Sequence, residues 1–372
     1  MANLLNSLEG ISQRGKECLT ARSPPTSLVG GSLTSWIDGT SYPVTSSNQS
    51  SDKVSFDYNG FIVKRSFVSQ AECAKMLLRM ESLAETHWHP NDSGQPSAVF
   101  RTDGDQIRAQ GSSDYFLDSA DRLHFFAEKD AVDASTGFVT IPPGQAKISA
   151  LNKSGHGLHV CDDVFRSYST SPSIASLVRS LGWRAPVIPQ SMYIFKQPVV
   201  GGEVTSHQDS TFLYTTPRQS CLGLWLALHD ATVANGCLWV RPGSHVEAVR
   251  RRFSRNQAHF EGDGDKEQPQ MIFEELTGGI EGTPAPWEGK IPEGAWPPPC
   301  CGLFDKGFVP VECSAGDLVV FPGTLDHLSL PNCSQLPRHT FQLHLVEGPK
   351  AGVEWSKTNW LQYPSGNAFL EI

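Results

Sequence analysis

The chain has 372 residues, of which 39% are apolar and 19% charged, so it is long enough for one large hydrophobic core or two smaller ones. Its 30 basic and 39 acidic residues give a formal charge of −9, which argues against nucleic acid as a partner, because nucleic-acid affinity comes from neutralising phosphates. The 33 Gly and 26 Pro favour many short strands and argue against an all-helical bundle.

The cysteine pattern and the lengths of the apolar runs indicate in which cellular compartment the protein is expected. Nine cysteines without a C-x-x-C pair are typical of reduced thiols in an intracellular protein, not of a disulfide framework or a thiolate zinc site. The apolar stretch from Leu222 to Leu228 is far shorter than the roughly 20 residues that cross a bilayer, so we expect no membrane span. We expect a cytoplasmic protein, with organellar import left open. The sequence does not indicate an oligomeric state.

Composition divides the chain into three parts. Residues 1–53 are rich in Ser, Thr, Gly and Pro without a sustained hydrophobic period, which predicts a disordered leader. Residues 54–363 are predicted to form one domain, followed by a tail at 364–372. Within the domain, residues 254–300 contain seven Gly and seven Pro, which indicates a long loop or insertion.

The N-terminal part of the domain carries helix signals. Residues 56–63 predict a turn that enters a short strand. Next, Ser69 and Glu72 have the spacing of a capping box, which predicts a helix to about Leu83. Its apolar stripe comprises Met76, Leu77, Met80 and Leu83. A second helix is predicted from Asp118 to Lys129.

From about Met192 the pattern changes to short apolar or alternating runs separated by turn residues. This spacing predicts a sandwich or barrel of strands with the earlier helices packed outside it. The predicted strands are Met192–Phe195, Cys221–Leu228, Leu238–Val240, Leu318–Phe321 and Thr340–Val346.

A histidine and an aspartate two residues apart are the first candidate ligands. On a strand or just after one, the period of two puts His207 and Asp209 on one face and Gln208 on the other. Two imidazoles and one carboxylate form the facial triad of non-haem iron sites, so a third ligand from a distant histidine would complete a centre. A polar turn is the alternative interpretation of this tripeptide.

The second half of the pattern follows a predicted buried strand. His327 comes just after Leu318–Phe321 and is the candidate third ligand, with a satisfied core histidine as the alternative. In the next strand, alternation places one polar set on a single face, and an arginine there suits a bidentate grip on a small dicarboxylate. That set comprises Arg338, Thr340, Gln342 and His344.

The order His207-x-Asp209, His327-x-Ser329 and then Arg338 closely resembles the phytanoyl-CoA dioxygenase family, over roughly residues 56–361. Further stretches that support the resemblance are Gln190–Pro198, His207–Thr215, Asn235–Leu238, Pro242–His245, Glu354–Ser356 and Asn359–Leu361.

This resemblance implies a mainly β fold with flanking helices, a double-stranded β-helix or cupin-like jelly-roll barrel. It implies that His207, Asp209 and His327 bind Fe(2+). It also implies that Arg338, with Ser329, binds the far carboxylate of 2-oxoglutarate. The remaining cosubstrate pocket would comprise Lys153, Met192 and Trp225, which the residues alone would suggest are a solvated amine and ordinary core.

The implied activity is that of an oxidoreductase, a 2-oxoglutarate-dependent dioxygenase. It would hydroxylate a small or medium-sized organic substrate with O2 while 2-oxoglutarate is decarboxylated to succinate and CO2, with ascorbate as a candidate reductant. Asp209 disfavours halogenation, because related halogenases carry Ala or Gly at that position. The alternative is a catalytically silent cupin-like protein that binds a metal or a partner.

Two further clusters could carry chemistry. The family name points to an acyl-CoA or lipid-like substrate, and Arg250–Arg252 could bind coenzyme phosphates, with a solvated charge run as the alternative. The C-terminus, Phe369–Ile372, is not an S-K-L type peroxisomal signal, which weakens the assignment of an acyl-CoA substrate.

A second metal cluster is conceivable at His156, His159 and Asp162, with local hydrogen bonding as the alternative.

Overall fold

The computed structural model describes residues 51–92, 97–101, 113–198, 200–261, 264, 266–276, 303 and 306–372. Most of the predicted leader lies outside these residues. However, Ser51–Lys53, which were predicted to belong to the leader, begin a helix whose Phe56 is buried against the core. In the part of the chain that the structure describes, no helix is both long and apolar enough to cross a membrane.

Helices precede or flank the strands. Those in the described ranges are α1 (Ser51–Asn59), α2 (Gln70–His87), α3 (Asp114–Asp118), α4 (Leu158–Cys161), α5 (Asp163–Ser169), α6 (Pro172–Ser180) and α7 (Gln257–Phe260). The predicted capping box starts α2: the Ser69 hydroxyl accepts from the Glu72 amide, and the Glu72 carboxylate accepts from the Ser69 amide. The helix runs four residues beyond the prediction, and Leu77 of the predicted stripe is only partly buried.

The strands in the described ranges are β1 (Ile62–Lys64), β2 (Leu123–Ala127), β3 (Leu151–His156), β4 (Pro186–Ile194), β5 (Val204–His207), β6 (Thr215–Thr216), β7 (Leu222–Ala227), β8 (Leu238–Val240), β9 (Arg251–Arg255), β10 (Met271–Glu275), β11 (Val309–Val311), β12 (Leu318–Pro322), β13 (His327–Ser329), β14 (Thr340–Glu347), β15 (Glu354–Trp355) and β16 (Leu370–Glu371). All five strands predicted from Met192 onward are present. Four agree with the prediction to within one residue at each end, whereas β4 begins six residues before the predicted start at Met192.

Two antiparallel sheets form the predicted jelly-roll barrel. The larger has the order β1-β12-β7-β14-β4-β3-β2, with β16 on β4, and the smaller has the order β11-β8-β13-β5. Two short ladders, β10-β9 and β15-β6, accompany them. A cavity lies between the sheets, because residues of both sheets line it.

Strand β14 of the larger sheet has an apolar outer face and a polar inner face. Phe341 and Leu343 of β14 pack in the same core cluster as Met80 of α2 and Phe165 of α5. Gln342 and His344 point the other way and line the cavity. The predicted alternation along this strand is therefore confirmed, and the helices cover one face of the barrel.

The predicted helix from Asp118 to Lys129 is wrong. The helix α3 ends at Asp118, and Leu123–Ala127 form β2, which pairs with β3. Phe125 and Phe126 are both buried, in two different core clusters on opposite sides of the strand. Pairing on the edge of the sheet outweighs the local apolar pattern, which had suggested a helical period.

Two domain boundaries also need correction. The predicted insertion at 254–300 begins inside β9. Its described part contains α7 and β10, and β10 pairs with β9, so this part is not a plain loop. Residues 277–300 lie outside the described residues. The predicted tail is part of the larger sheet, because β16 pairs with β4. The backbone hydrogen bonds of Leu370 and Glu371 explain why this end is ordered.

Candidate metal centre and cosubstrate pocket

The three predicted ligands meet at one point. His207 ends β5, and Asp209 opens a short 3-10 turn one residue further on, after Gln208. His327 begins β13 as the direct cross-strand partner of His207. Nε2 of His207 lies 3.4 Å from Asp209 Oδ1, and Nε2 of His327 lies 3.6 Å from the same oxygen. One ligand atom from each residue lies within 4.8 Å of the others, which is close enough for a single ion to contact all three.

Backbone carbonyls fix how both rings are protonated. Nδ1 of His207 lies 2.8 Å from the Thr205 carbonyl oxygen, and Nδ1 of His327 lies 3.0 Å from that of Leu325. Because a carbonyl only accepts, each Nδ1 carries a hydrogen, and a neutral ring then turns the lone pair of Nε2 towards the Asp209 carboxylate. Two lone pairs and an anion that face one another are stabilised by a cation between them, so this donor set fits a divalent metal ion.

The electrostatics of the cluster agree with a cation site. Burial alone would raise the pKa of Asp209, but His327, His344 and His207 hold it well below its usual value, so the carboxylate is ionised. Burial and the nearby His207 lower the pKa of His327 to about 4, whereas the carboxylate of Asp209 overcomes burial and raises that of His207. A metal ion here would therefore compete with a proton on His207.

His344, on β14, supports Asp209. His344 Nε2 lies 3.1 Å from Asp209 Oδ2, and its Nδ1 lies 3.1 Å from the amide nitrogen of Gln190. The amide donates to Nδ1, so the hydrogen of His344 is on Nε2 and is donated to the carboxylate. The sequence had placed His344 on the polar face of this strand, but it gave no signal for this contact.

Arg338 is a buried cation in the same cavity, just before β14. The side chain is only 2% exposed, its Nη1 donates to the Thr340 hydroxyl at 3.3 Å, and its Nε has no hydrogen-bond partner among the described residues. Burial lowers the pKa of Arg338 to about 10, which still leaves the guanidinium protonated at neutral pH. A buried guanidinium with an unused donor fits an anionic ligand.

The other predicted pocket residues lie around Arg338. Its guanidinium is 5.4 Å from the Trp225 ring, and Ser329 and Met192 line the same cavity. Lys153 is buried, not solvated: its Nζ lies 2.9 Å from His156 Nε2 and 3.5 Å from the centroid of the Phe100 ring. Burial lowers the pKa of Lys153 well below its ordinary value. All five predicted cosubstrate residues thus border one space.

The cavity has a volume of about 140 Å³ and largely apolar walls. Aromatic side chains that the sequence analysis did not assign to the site line it: Phe100, Phe116, Phe212, Phe253, Phe321 and Trp360. Trp360 stacks on Phe116 with their ring centroids 4.5 Å apart. Apolar walls exclude water and strengthen the electrostatic interactions inside the cavity.

The conceivable second metal cluster is built from local contacts. His156 lies between Ser119 and Lys153, while the Asp162 carboxylate caps α5 and pairs with Arg79 at 2.7 Å. His159 bonds to β4 and to Tyr363. In the described part of the chain, the group of His207, Asp209 and His327 is the one whose ligand atoms converge on a possible ion.

Comparisons with known proteins point to one family. The family model described as phytanoyl-CoA dioxygenase matches residues 56–340. Phytanoyl-CoA dioxygenase 1 of Oryza sativa subsp. japonica is 40% identical over 309 residues, which cover 82% of this chain and 91% of that protein. Phytanoyl-CoA dioxygenase domain-containing protein 1 of Rattus norvegicus is 39% identical over 312 residues, which cover 82% and 92%.

Among solved structures, the epimerase SnoN, crystallised with Fe3+, alpha ketoglutarate and nogalamycin RO, has a similar fold. The TM-score is 0.51 at 14% identity, and the match covers 85% of this chain and 90% of SnoN. At this identity the likeness speaks for the fold alone. The family model and the two relatives, by contrast, match most of the sequence, and they show that this chain belongs to the phytanoyl-CoA dioxygenase family.

Proposed function

We propose that the protein is an Fe(II)- and 2-oxoglutarate-dependent dioxygenase that hydroxylates a small or medium-sized organic substrate and converts 2-oxoglutarate to succinate and CO2. One observation carries the proposal: a convergent set of two imidazoles and one carboxylate shares a cavity with a buried arginine that has an unused donor. The first group suits a divalent metal, and the second suits the far carboxylate of a dicarboxylic acid.

The proposed roles follow from the contacts. His207, Asp209 and His327 would hold iron on one side, which leaves other coordination positions for ligands. Arg338 and Ser329 would bind the far carboxylate of 2-oxoglutarate. The pocket around that molecule would be completed by Lys153, Met192 and Trp225. When bound together, iron and 2-oxoglutarate supply the activation of O2 that inserts one oxygen atom into a C–H bond.

The chain itself binds, orients and shields. The ionised Asp209 brings one negative charge and the neutral imidazoles none, so the positive charge of a bound metal is only partly neutralised. His344 keeps Oδ1 of that carboxylate directed at the two rings. The aromatic walls favour an apolar substrate body, consistent with an acyl or other lipid-like molecule, and they keep water away from the reacting carbon.

The test begins without oxygen. Protein that is given Fe(II) and 2-oxoglutarate under argon should develop the weak visible charge-transfer band of the chelate, and in air with ascorbate it should form succinate. Asp209→Ala should abolish both signals, because it removes the anionic ligand. His89→Ala, which changes an exposed histidine far from the cluster in sequence, should retain both.

Two results would contradict the proposal. Succinate formation that persists in Asp209→Ala would show that the metal is bound elsewhere. A wild-type protein that binds the metal, but neither shows the band nor forms succinate, would be a silent metal-binding protein of the same fold.

A further inference from the structure

The run of three arginines, Arg250–Arg252, follows Asp209 and precedes His327 in the chain, and the structure places its members in different environments. Arg250 forms an ion pair with Asp326 at 3.0 Å. Arg252 donates to the Thr358 hydroxyl at 2.6 Å and to the Asn359 side-chain oxygen at 3.0 Å. Both are engaged in internal contacts. Arg251, on the opposite face of β9, lines the cavity.

Aromatic rings connect Arg251 with the proposed metal ligands. The Arg251 guanidinium lies 4.1 Å from the centroid of the Phe273 ring, and Phe273 lies 6.2 Å from Phe212. Phe212 in turn lies 6.1 Å from the His207 ring. Arg251 is therefore two aromatic rings away from the metal site. It is also more exposed than Phe253, its buried neighbour on the same face of β9.

Basic side chains outnumber acidic ones along the cavity. Among the described lining residues, three side chains are basic, Lys153, Arg251 and Arg338, and one is acidic, Asp209. The metal would use Asp209, and 2-oxoglutarate would occupy Arg338 and the neighbourhood of Lys153. Even with the metal and 2-oxoglutarate bound, Arg251 would still face the cavity.

Glu275 is the one acid that faces Arg251 across the β9–β10 ladder. Burial lowers the pKa of Arg251, and Glu275 raises it. Because Glu275 is exposed, water and salt screen this attraction. Glu275 is not among the residues that line the cavity, whereas Arg251 is. A guanidinium that stacks on an aromatic ring can still donate from its edge to a planar anion inside the cavity.

We propose that Arg251 binds an anionic group of the substrate, so that the substrate is an amphipathic organic anion. Its apolar part lies along Phe212 and Phe253, and the carbon that reacts is at the end remote from the anionic group. The anion is a carboxylate or a phosphate, since both match the guanidinium edge. This inference rests on the proposed function, because it takes the metal site as the place of reaction.

The experiment compares three eight-carbon probes of equal chain length: octanoate, octyl phosphate and 1-octanol. Each is titrated into the full-length protein in saturating 2-oxoglutarate, which occupies Arg338, and binding is followed by calorimetry. In the wild type we expect at least one of the two anions to bind ten or more times more tightly than the alcohol. The anion that does so identifies the group that Arg251 recognises.

Two variants assign that preference to a residue. Arg251→Gln should reduce it to less than threefold, while Arg251→Lys should keep part of it because the charge remains without the planar fork. Arg252→Gln, a change on the opposite face of the same strand, should keep it in full. Equal binding of all three probes, no measurable binding of either anion, or an unchanged preference in Arg251→Gln would overturn the proposal.

Failure of this inference is distinguishable from failure of the proposed function. If the proposed function fails, the wild type shows neither the charge-transfer band nor succinate, whatever probe is added. If only this inference fails, the protein forms succinate yet prefers neither anion to the alcohol. The comparison of Arg251→Gln with Arg252→Gln measures binding alone and is valid in either case.

Discussion

At the scale of single residues, His344 determines where the Asp209 carboxylate points. Its Nε2 donates to Oδ2, which leaves Oδ1 directed at the two imidazoles. Gly223, the cross-strand neighbour of His344, makes room for this contact. A Cβ there would lie 2.9 Å from the Phe321 ring and 3.2 Å from Asp209 Oδ2, so a side chain at this position would collide with the ring and crowd the carboxylate.

His344→Ala should weaken metal binding by about 10- to 100-fold, the usual effect of removing a partner of a metal ligand. The measurement is calorimetric titration of the full-length protein with Mn(II). His344→Gln can still donate a hydrogen bond from its side-chain amide and should recover part of the affinity. If the alanine and glutamine variants bind Mn(II) with equal affinity, the hydrogen bond does not position Asp209.

Residue chemistry was predictable where sequence spacing alone brings groups together. His207 and Asp209 are two residues apart, and the strand period puts them on one face. Gln190 and His344 are 154 residues apart and meet because β4 pairs with β14 in one register. A single sequence does not specify that register. For the same reason, the sequence does not show that Arg251 faces the cavity, because three consecutive arginines occur there and nothing in the sequence distinguishes them.

At the scale of elements, the short helix α4 ties the barrel to the C-terminal segment. The backbone amide of His159 donates to the Ser191 hydroxyl, and its ring bonds to Ser191, to the Ile188 carbonyl and to the Tyr363 hydroxyl. Burial is the main cause that lowers the pKa of His159 to about 4. The ring is therefore neutral in the folded protein at physiological pH.

This contact makes stability depend on pH with a defined sign. The ordinary pKa of histidine is 6.5, so between pH 6.5 and 4 the unfolded chain binds a proton that the folded chain does not. The contribution is complete above pH 6.5 and is lost as the pH falls towards 4, by about 2 kcal/mol at pH 5. Urea unfolding at pH 7.5 and pH 5 should therefore show a smaller pH effect in His159→Gln than in the wild type.

The exposed His89 supplies the control, since His89→Gln should keep the pH dependence of the wild type. If the free energy of unfolding changes equally between pH 7.5 and pH 5 in the wild type and in His159→Gln, His159 is not protonated on unfolding in this range.

The type of element was predicted well for strands with clear alternation, such as β14. It was predicted wrongly for β2, because two adjacent phenylalanines pack into different core clusters and imitate a helical pattern.

At the scale of the whole molecule, the barrel carries buried basic groups that form no ion pair with a carboxylate among the described residues. Arg338 and Lys153 lie between the two sheets, and their hydrogen-bond partners are a hydroxyl and an imidazole, not carboxylates. An anion that binds there should stabilise the entire fold, because ligand binding to the native state is linked to unfolding.

With Mn(II) present, 2-oxoglutarate at 100 times its dissociation constant should raise the free energy of unfolding by about 2.7 kcal/mol, seen as a higher melting temperature. Pyruvate has the same 2-oxo acid group without the far carboxylate and should give a much smaller rise at equal concentration. Arg338→Gln should remove most of the difference between the two acids. A rise with pyruvate that equals that with 2-oxoglutarate would mean that Arg338 does not bind the far carboxylate.

The pairing of His327 with His207 across β13 and β5 has a consequence for folding. These histidines are direct partners in one ladder, and a slip of one residue would turn one of them to the opposite face of its strand. A chain with slipped strands would then offer the metal two ligands instead of three and lose most of its affinity. Metal binding would therefore stabilise the barrel in which β13 and β5 pair in the native register, relative to barrels with slipped strands. The ion would thus contribute to correct folding as well as to catalysis.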